Sequence, residues 1–323
     1  MPTTYWPAPL ERSLGPRLAA RLEAMLFSGL MGLCEILGRK RASRFGHFLL
    51  SVAGPRMPKN RHVRTNLDVV LAAASDAEKA ATARAIWGNF GAVVAEYPHL
   101  AEFCSAQALG LIPVCAATDM TPYIRGERAA IFVAPHLGNW EIAATIGHNL
   151  GFNISVVYSA LRNPALDQKL QAMRQELRCE FIEKEGAARA MFRELRAKRC
   201  LGLVMDLRAE EGMEVDFFGR PAMAATAALA LAVRLDADIL PSHVERLPGS
   251  RFRLFVGEPL KPGATATGPD AIVRDLAGQL FAYFEQHIAA NPGQWLCVKR
   301  RWPKPGKGPK SRAKLQAKKQ SRS

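Results

Sequence analysis

The sequence predicts an α/β protein: one domain with a mixed sheet flanked by helices, and an N-terminal membrane-associated helix ahead of it. Three observations predict it. From residue 129 onward, short apolar runs alternate with segments of helical period, the pattern of a layered fold with a partly parallel sheet. Two late runs, 238–246 and 251–257, are separated by Leu247-Pro248-Gly249-Ser250, which makes them an antiparallel hairpin beside that sheet. Near the N-terminus, 22–37 has a helical pattern, but its uncharged part, Ala24 to Cys34, falls far short of the ~20 apolar residues that a spanning helix needs.

Taken in order, residues 1–20 carry Pro, Ala and Arg and read as irregular. Arg12, Arg17 and Arg21 precede or open the first helix, and Arg39, Lys40, Arg41 and Arg44 follow it, with no small-residue cleavage site. Basic flanks on a short apolar helix suit an anchor lying on a membrane surface; a buried core helix is the alternative. Residues 55–67 read as a basic loop entering a helix. Residues 76–97 read as a helix with Ile86, Phe90, Val93, Val94 and Tyr97 as its apolar stripe. The alternating part then gives strand 130–135, helix 140–149, strand 153–158, helix 165–178, strand 179–182, helix 186–198 and strand 200–206. A turn-rich stretch runs to 222, followed by helix 225–236, the two hairpin strands and helix 270–290.

The formal net charge of +15 sits at the two ends. Residues 299–323 hold eleven Lys or Arg and no acid, and residues 1–66 hold eleven against three Glu, so the middle is mildly acidic. Basic ends suit an anionic membrane surface, and they would also suit nucleic acid; a solvated, disordered charge run is the plain alternative for the tail. Aromatics are nearly absent from the tail, which offers no stacking platform for single strands, so nucleic acid is not expected as a partner. Six cysteines are scattered without a C-x-x-C pair, as free thiols in a reducing compartment would be. The sequence holds no P-loop, no G-x-G-x-x-G and no metal-ligand spacing, and therefore indicates neither metal nor cofactor.

The stretch that carries chemistry is 131–141, Ile-Phe-Val-Ala-Pro-His-Leu-Gly-Asn-Trp-Glu. It reads as a buried strand, a tight turn bearing His136, and a helix capped by Asn139. Glu141 falls in the first helical turn, where the dipole favours its ionised form. With His136 on the turn, its imidazole can fold back over the helix start and meet that carboxylate. A histidine held in one tautomer by a carboxylate is the usual general base near pH 7, and ligands of open α/β folds bind outside strand carboxyl ends. A structural histidine at a strand end is the competing reading.

These residues also resemble a known family. His136-Leu-Gly-Asn-Trp-Glu141 is similar to the H-x(4)-D/E motif of glycerolipid acyltransferases, in the form used by bacterial lipid A late acyltransferases. The resemblance extends through Arg61 to Leu67, through Trp87-Gly-Asn-Phe-Gly91 with Glu96, and through Arg162 to Asp167. It continues in Phe217-Phe-Gly-Arg-Pro-Ala222 and in Gln294-Trp-Leu to Arg301-Trp302. Arg174 stands where the family has an arginine, and Asp206 ends a strand as the family's acidic residue does. Leu207-Arg208 after Asp206, and Ala224 and Ala227 after Pro221, depart from the family pattern.

The resemblance implies a glycerolipid-acyltransferase-like domain over 51–302, between a membrane-anchoring segment, 1–50, and a basic tail, 303–323. It implies that His136 takes a proton from a lipid hydroxyl as that hydroxyl attacks a thioester, with Glu141 orienting the imidazole. Backbone N–H groups around Gly138 and Asn139 would meet the oxyanion. Arg174 would bind a phosphate of donor or acceptor, against an exposed helical charge as its bland reading. Asp206 would complete a hydrogen-bond network behind the acceptor, against a simple cap. Phe217 and Phe218 border an acyl groove or fill the core. The implied donor is an acyl carrier protein and the implied acceptor a lipid A precursor, at the cytoplasmic face of an inner membrane. A nearer alternative keeps the chemistry with another glycolipid or a lysophospholipid as acceptor, and the rival of another class is a non-enzymatic membrane- or nucleic-acid-binding protein driven by the basic ends.

Overall fold

Helices come before the sheet in the computed structural model, which describes residues 14–105 and 108–303. The first is α1, Leu14–Leu37. Gly38, at φ 71°, breaks it from α2, Arg39–Ala53, a turn that a side chain would strain. After a 3-10 turn come α3, Asn60–Val70, and α4, Asp76–Glu96, which a Ser75/Glu78 capping box starts. The sequence reads only Arg39, Lys40, Arg41 and Arg44 here, as a basic flank, and assigns no helix over 39–53, because the apolar side chains are split between two faces. One face packs along α4. There Gly46 and Gly91 bring the backbones so close that a Cβ on either would lie 2.2 or 2.0 Å from the other's carbonyl oxygen.

The remaining elements, in order, are α5, Ala108–Leu111; β1, Val114–Ala116; α6, Thr121–Ile124; β2, Ala130–Ala134; α7, Thr145–Leu150; and β3, Ile154–Tyr158. Next come α8, Pro164–Arg174; β4, Glu180–Glu183; α9, Ala187–Arg196; β5, Cys200–Val204; β6, Met213–Phe217; and β7, Arg220–Ala224. The chain closes with α10, Ala227–Leu235; β8, Asp238–Leu247; β9, Arg251–Val256; and α11, Pro269–Ala290.

Seven strands form one sheet in the order β1-β9-β8-β2-β5-β3-β4. From β8 to β4 neighbours run parallel, β9 returns antiparallel to β8 as the hairpin, and β1 lies parallel to β9. This is the mixed, helix-flanked α/β sheet that the alternation predicts. Along β2, Ile131 and Val133 face a core with Leu201, Leu229 and Phe281, while Ala130 and Phe132 face a second core with Ile154 and Leu240. Burial on both faces explains the unbroken apolar run.

Three local expectations are corrected. Residues 140–149 begin as a 3-10 helix, Trp140–Ala144, and only then become α7. The turn-rich stretch holds an antiparallel hairpin, β6 with β7, hidden by its polar outer residues and by Pro221. Strand β1 is three residues long, too short to read by period.

Helix α1 is not a buried core helix. Ala24, Met31 and Cys34 are buried against the body, while Leu18, Leu22, Met25, Leu26, Leu33 and Ile36 are exposed. Phe48, Leu49 and Val52 of α2 are exposed as well. Among the described residues, no helix is long and apolar enough to cross a membrane. Residues 1–13 and the basic run from 304 to 323 lie outside the described residues.

Candidate active site

Strands β2 and β5 are parallel neighbours in the register Ala134↔Val204. Two residues beyond that pair, the chain carries His136 on one strand and Asp206 on the other. The sheet itself therefore sets the two side chains next to each other at its carboxyl edge, where open α/β folds place their sites. His136 Nδ1 lies 2.5 Å from Asp206 Oδ1, and the His136 backbone N–H donates to Oδ2 at 3.1 Å.

Asp206 is 1% exposed. Burial pushes its carboxyl up, but the imidazole, the Trp295 Nε1 donor at 2.7 Å and the backbone N–H outweigh that and hold it below the ordinary carboxylate range. An ionised Asp206 accepts the hydrogen bond of His136 Nδ1–H and holds the proton on that nitrogen, which leaves the lone pair on Nε2. The ring is part-exposed and meets Trp140 edge-on at 5.1 Å between centroids.

The turn between His136 and Glu141 is held from outside itself. Leu296 N donates to His136 O, Gly138 N donates to Gln294 O at 3.1 Å, and Asn89 Nδ2 donates to Gly138 O at 2.8 Å. Gly138, at φ 60°, passes so close to β8 that a Cβ would lie 2.3 Å from Val244 O. Asn139 is the cap read from the sequence, with Oδ1 accepting from Glu141 N, while its Nδ2 donates to Glu96 Oε2 at 2.8 Å. Glu96 is fully buried. Burial raises its carboxyl, but Arg246, Ser43 and Ser250 more than offset this, and the group stays below its usual range.

Two expected roles are corrected by this geometry. Glu141 does not orient His136, because its carboxylate is bound elsewhere. Arg174 Nε donates to Glu141 Oε2 at 2.8 Å and Nη2 to Oε1 at 2.6 Å, a bidentate pair, and the Trp140 indole N–H adds a third bond. Arg174 is accordingly buried, not an exposed helical charge. It lies at the end of α8, which Asn163 caps and Pro164 opens, over the Tyr158 and Phe181 rings. The desolvation that would lower its pKa is outweighed by Glu141. Gly138 is no oxyanion donor either, since its N–H is engaged by Gln294 O; it serves the close approach to Val244.

Asp206 is no plain cap but the partner of the histidine. The reading missed this because Glu141 was nearer in sequence. The available signal was that 136 and 206 both stand at the carboxyl ends of expected strands, 130–135 and 200–206. Trp295, Asn89, Glu96 and Gln294, noticed only within resembling segments, form the shell of the turn. Asn66, from another such segment, binds Cys297 O and Lys299 O and ties down the C-terminal stretch. Phe217 is fully buried, stacked on Trp302 and edge-on to Trp295, so it fills the core. His148 bonds Cys104 O, a structural role. His243 and His287 are stacked on each other at 3.8 Å between centroids.

A histidine backed by a buried carboxylate at adjacent strand ends is the arrangement of a general-base enzyme. The chain belongs to the family described as bacterial lipid A biosynthesis acyltransferase, whose model matches residues 17–304. It is similar to a phosphatidylinositol mannoside acyltransferase of Mycobacterium tuberculosis, 30% identical over 181 residues that make up 54% of each chain. A protein of the same name from Mycolicibacterium smegmatis is 28% identical over 184 residues, 54% of this chain and 57% of that one. The chain spans about half the length of the curated relatives it matches.

Proposed function

We propose that this chain moves a fatty acyl group from the thioester of an acyl carrier protein to a hydroxyl of a glycolipid, a lipid A precursor, at the cytoplasmic face of an inner membrane. Membership of the family supports the acyl transfer, and lipid A is taken as acceptor from the family's name alone. Relatives named for a mannosylated phosphatidylinositol support a glycolipid acceptor and favour that lipid as the second candidate. The observation that carries the reading is the 2.5 Å contact between His136 Nδ1 and Asp206. The exposed apolar side chains of α1 and α2 support a membrane surface as the place of work.

In this reaction the acceptor oxygen forms a bond to the thioester carbonyl carbon as His136 Nε2 takes its proton. Asp206 stabilises the imidazolium. The tetrahedral oxyanion then collapses, the carbon–sulfur bond breaks, and the leaving thiolate takes the proton back from His136. The thioester is already activated, so no acyl-enzyme is needed. Mass spectrometry of lipids from cells lacking and then regaining the chain tests the acceptor. A lost and restored acyl chain on lipid A is expected; unchanged lipid A removes that acceptor, and a change in another glycolipid assigns it instead.

A further inference from the structure

Between α2, α4 and the β8–β9 turn lies a cleft of about 330 Å³, apart from the catalytic turn. Lys40, Arg44 and His47 line it from one stripe of α2, with Ser43 behind them, Arg246 at the strand end and Ser250 on the turn. No acidic side chain lines it. The carboxylate behind it, Glu96, is buried and already bound by Arg246, Ser250 and Asn139. The charge of Arg246 is therefore matched, while Lys40 and Arg44 are exposed and make no ion pair with a described residue. Two uncompensated cations converge on a concave site. Burial, and then Arg246, push His47 below its ordinary pKa, so its imidazole adds no third charge.

The position of the cleft identifies its ligand. Immediately beside the cationic stripe, α2 exposes Phe48 and Val52, and α1 exposes Ile36 at 85%. An apolar face that enters the headgroup boundary brings cations flanking it to the level of the lipid phosphates. We infer that this cleft binds the phosphate headgroup of an anionic membrane phospholipid, as a docking site separate from the lipid acceptor. Lys40 and Arg44 would supply charge-assisted hydrogen bonds to the phosphate oxygens, and Ser43 and the turn would bound the headgroup. The inference rests on the membrane-surface reading above. It adds that docking is made by a saturable site and not by diffuse charge.

The test uses the full chain and dihexanoylphosphatidylglycerol below its micelle concentration, followed by calorimetry. A single saturating site is expected. K40Q/R44Q should weaken it by about tenfold or more, the loss of one or two charged hydrogen bonds. R56Q/K59Q removes the same charge from exposed surface outside the cleft and should change it by less than about twofold. Equal losses in the two pairs, or no saturation, would overturn the site. Inorganic phosphate is titrated alongside; binding as tight as that of the lipid would make this a free-phosphate site and overturn the lipid assignment. Sedimentation with vesicles of equal parts phosphatidylcholine and phosphatidylglycerol separates the two levels. A chain that binds the short lipid but ignores vesicles keeps the cleft and loses the membrane reading. Vesicle binding that K40Q/R44Q leaves unchanged keeps the membrane reading and overturns the cleft.

Discussion

At the residue scale, the ionised carboxylate of Asp206 decides what His136 can do, because it fixes which ring nitrogen is free. General-base assistance contributes roughly 10²- to 10⁴-fold, so His136→Ala should lower kcat by that order in a chain whose denaturation midpoint is near normal. Asp206→Asn should lower kcat comparably, since an amide neither fixes the tautomer nor stabilises imidazolium. Glu141→Gln separates the two carboxylates. Leaving Arg174 buried without its partner should cost on the order of 3–5 kcal/mol in urea unfolding, while kcat per folded molecule falls far less than in Asp206→Asn. A kcat for Glu141→Gln as low as that of Asp206→Asn, at unchanged stability, would return the orienting role to Glu141.

At the element scale, the catalytic turn is a junction of β2, β8, α4 and the C-terminal segment, and its precision comes from close backbone approach. Gly138→Ala places a methyl against Val244 O at a φ that disfavours side chains. A cost of about 1–3 kcal/mol and a parallel fall in kcat are expected, read by thermal melting and initial rates. Helices α2 and α4 meet in the same way. Gly91→Ala should force α2 outward and cost about 1–3 kcal/mol by overpacking. Because α4 also carries Asn89 and Glu96, which hold Gly138 O and Asn139, activity should fall with it.

At the scale of the whole molecule, the buried ionisable groups set the response to acid. His243 lies on β8 and faces Phe255 of β9 and Tyr283 and His287 of α11, with Cys115 on β1 beyond and Glu245 acting on His287. Burial, and then His287, lower it from 6.5 to about 3. The unfolded chain therefore binds the extra proton first, and stability should fall as pH drops from about 6.5 toward 3. His243→Phe should flatten that slope in urea midpoints measured across the range. Asp206 and Glu96, both held low in the fold, contribute stability that is present above about 4 and is lost as pH falls below it.

Much of this protein is determined by local sequence. Alternating apolar runs specify the α/β order because each buried strand and amphipathic helix declares its own period. Ile131 to Glu141 declares strand, turn and Asn cap within eleven residues. Helix α2, the β6–β7 hairpin and β1 were illegible, because mixed faces, polar edges and short length leave no period to read. The pairing of side chains was illegible for a different reason. Glu141 stands five residues from His136 and Asp206 seventy, yet strand register brings Asp206 to the imidazole and packing of α8 brings Arg174 to Glu141. Charge pairs are settled by distance in space, and that depends on how strands align and helices pack. The sequence alone determined that His136 is presented at a strand end in an acyltransferase-like frame. Only the tertiary structure decided which carboxylate meets its imidazole, because that depends on strand register.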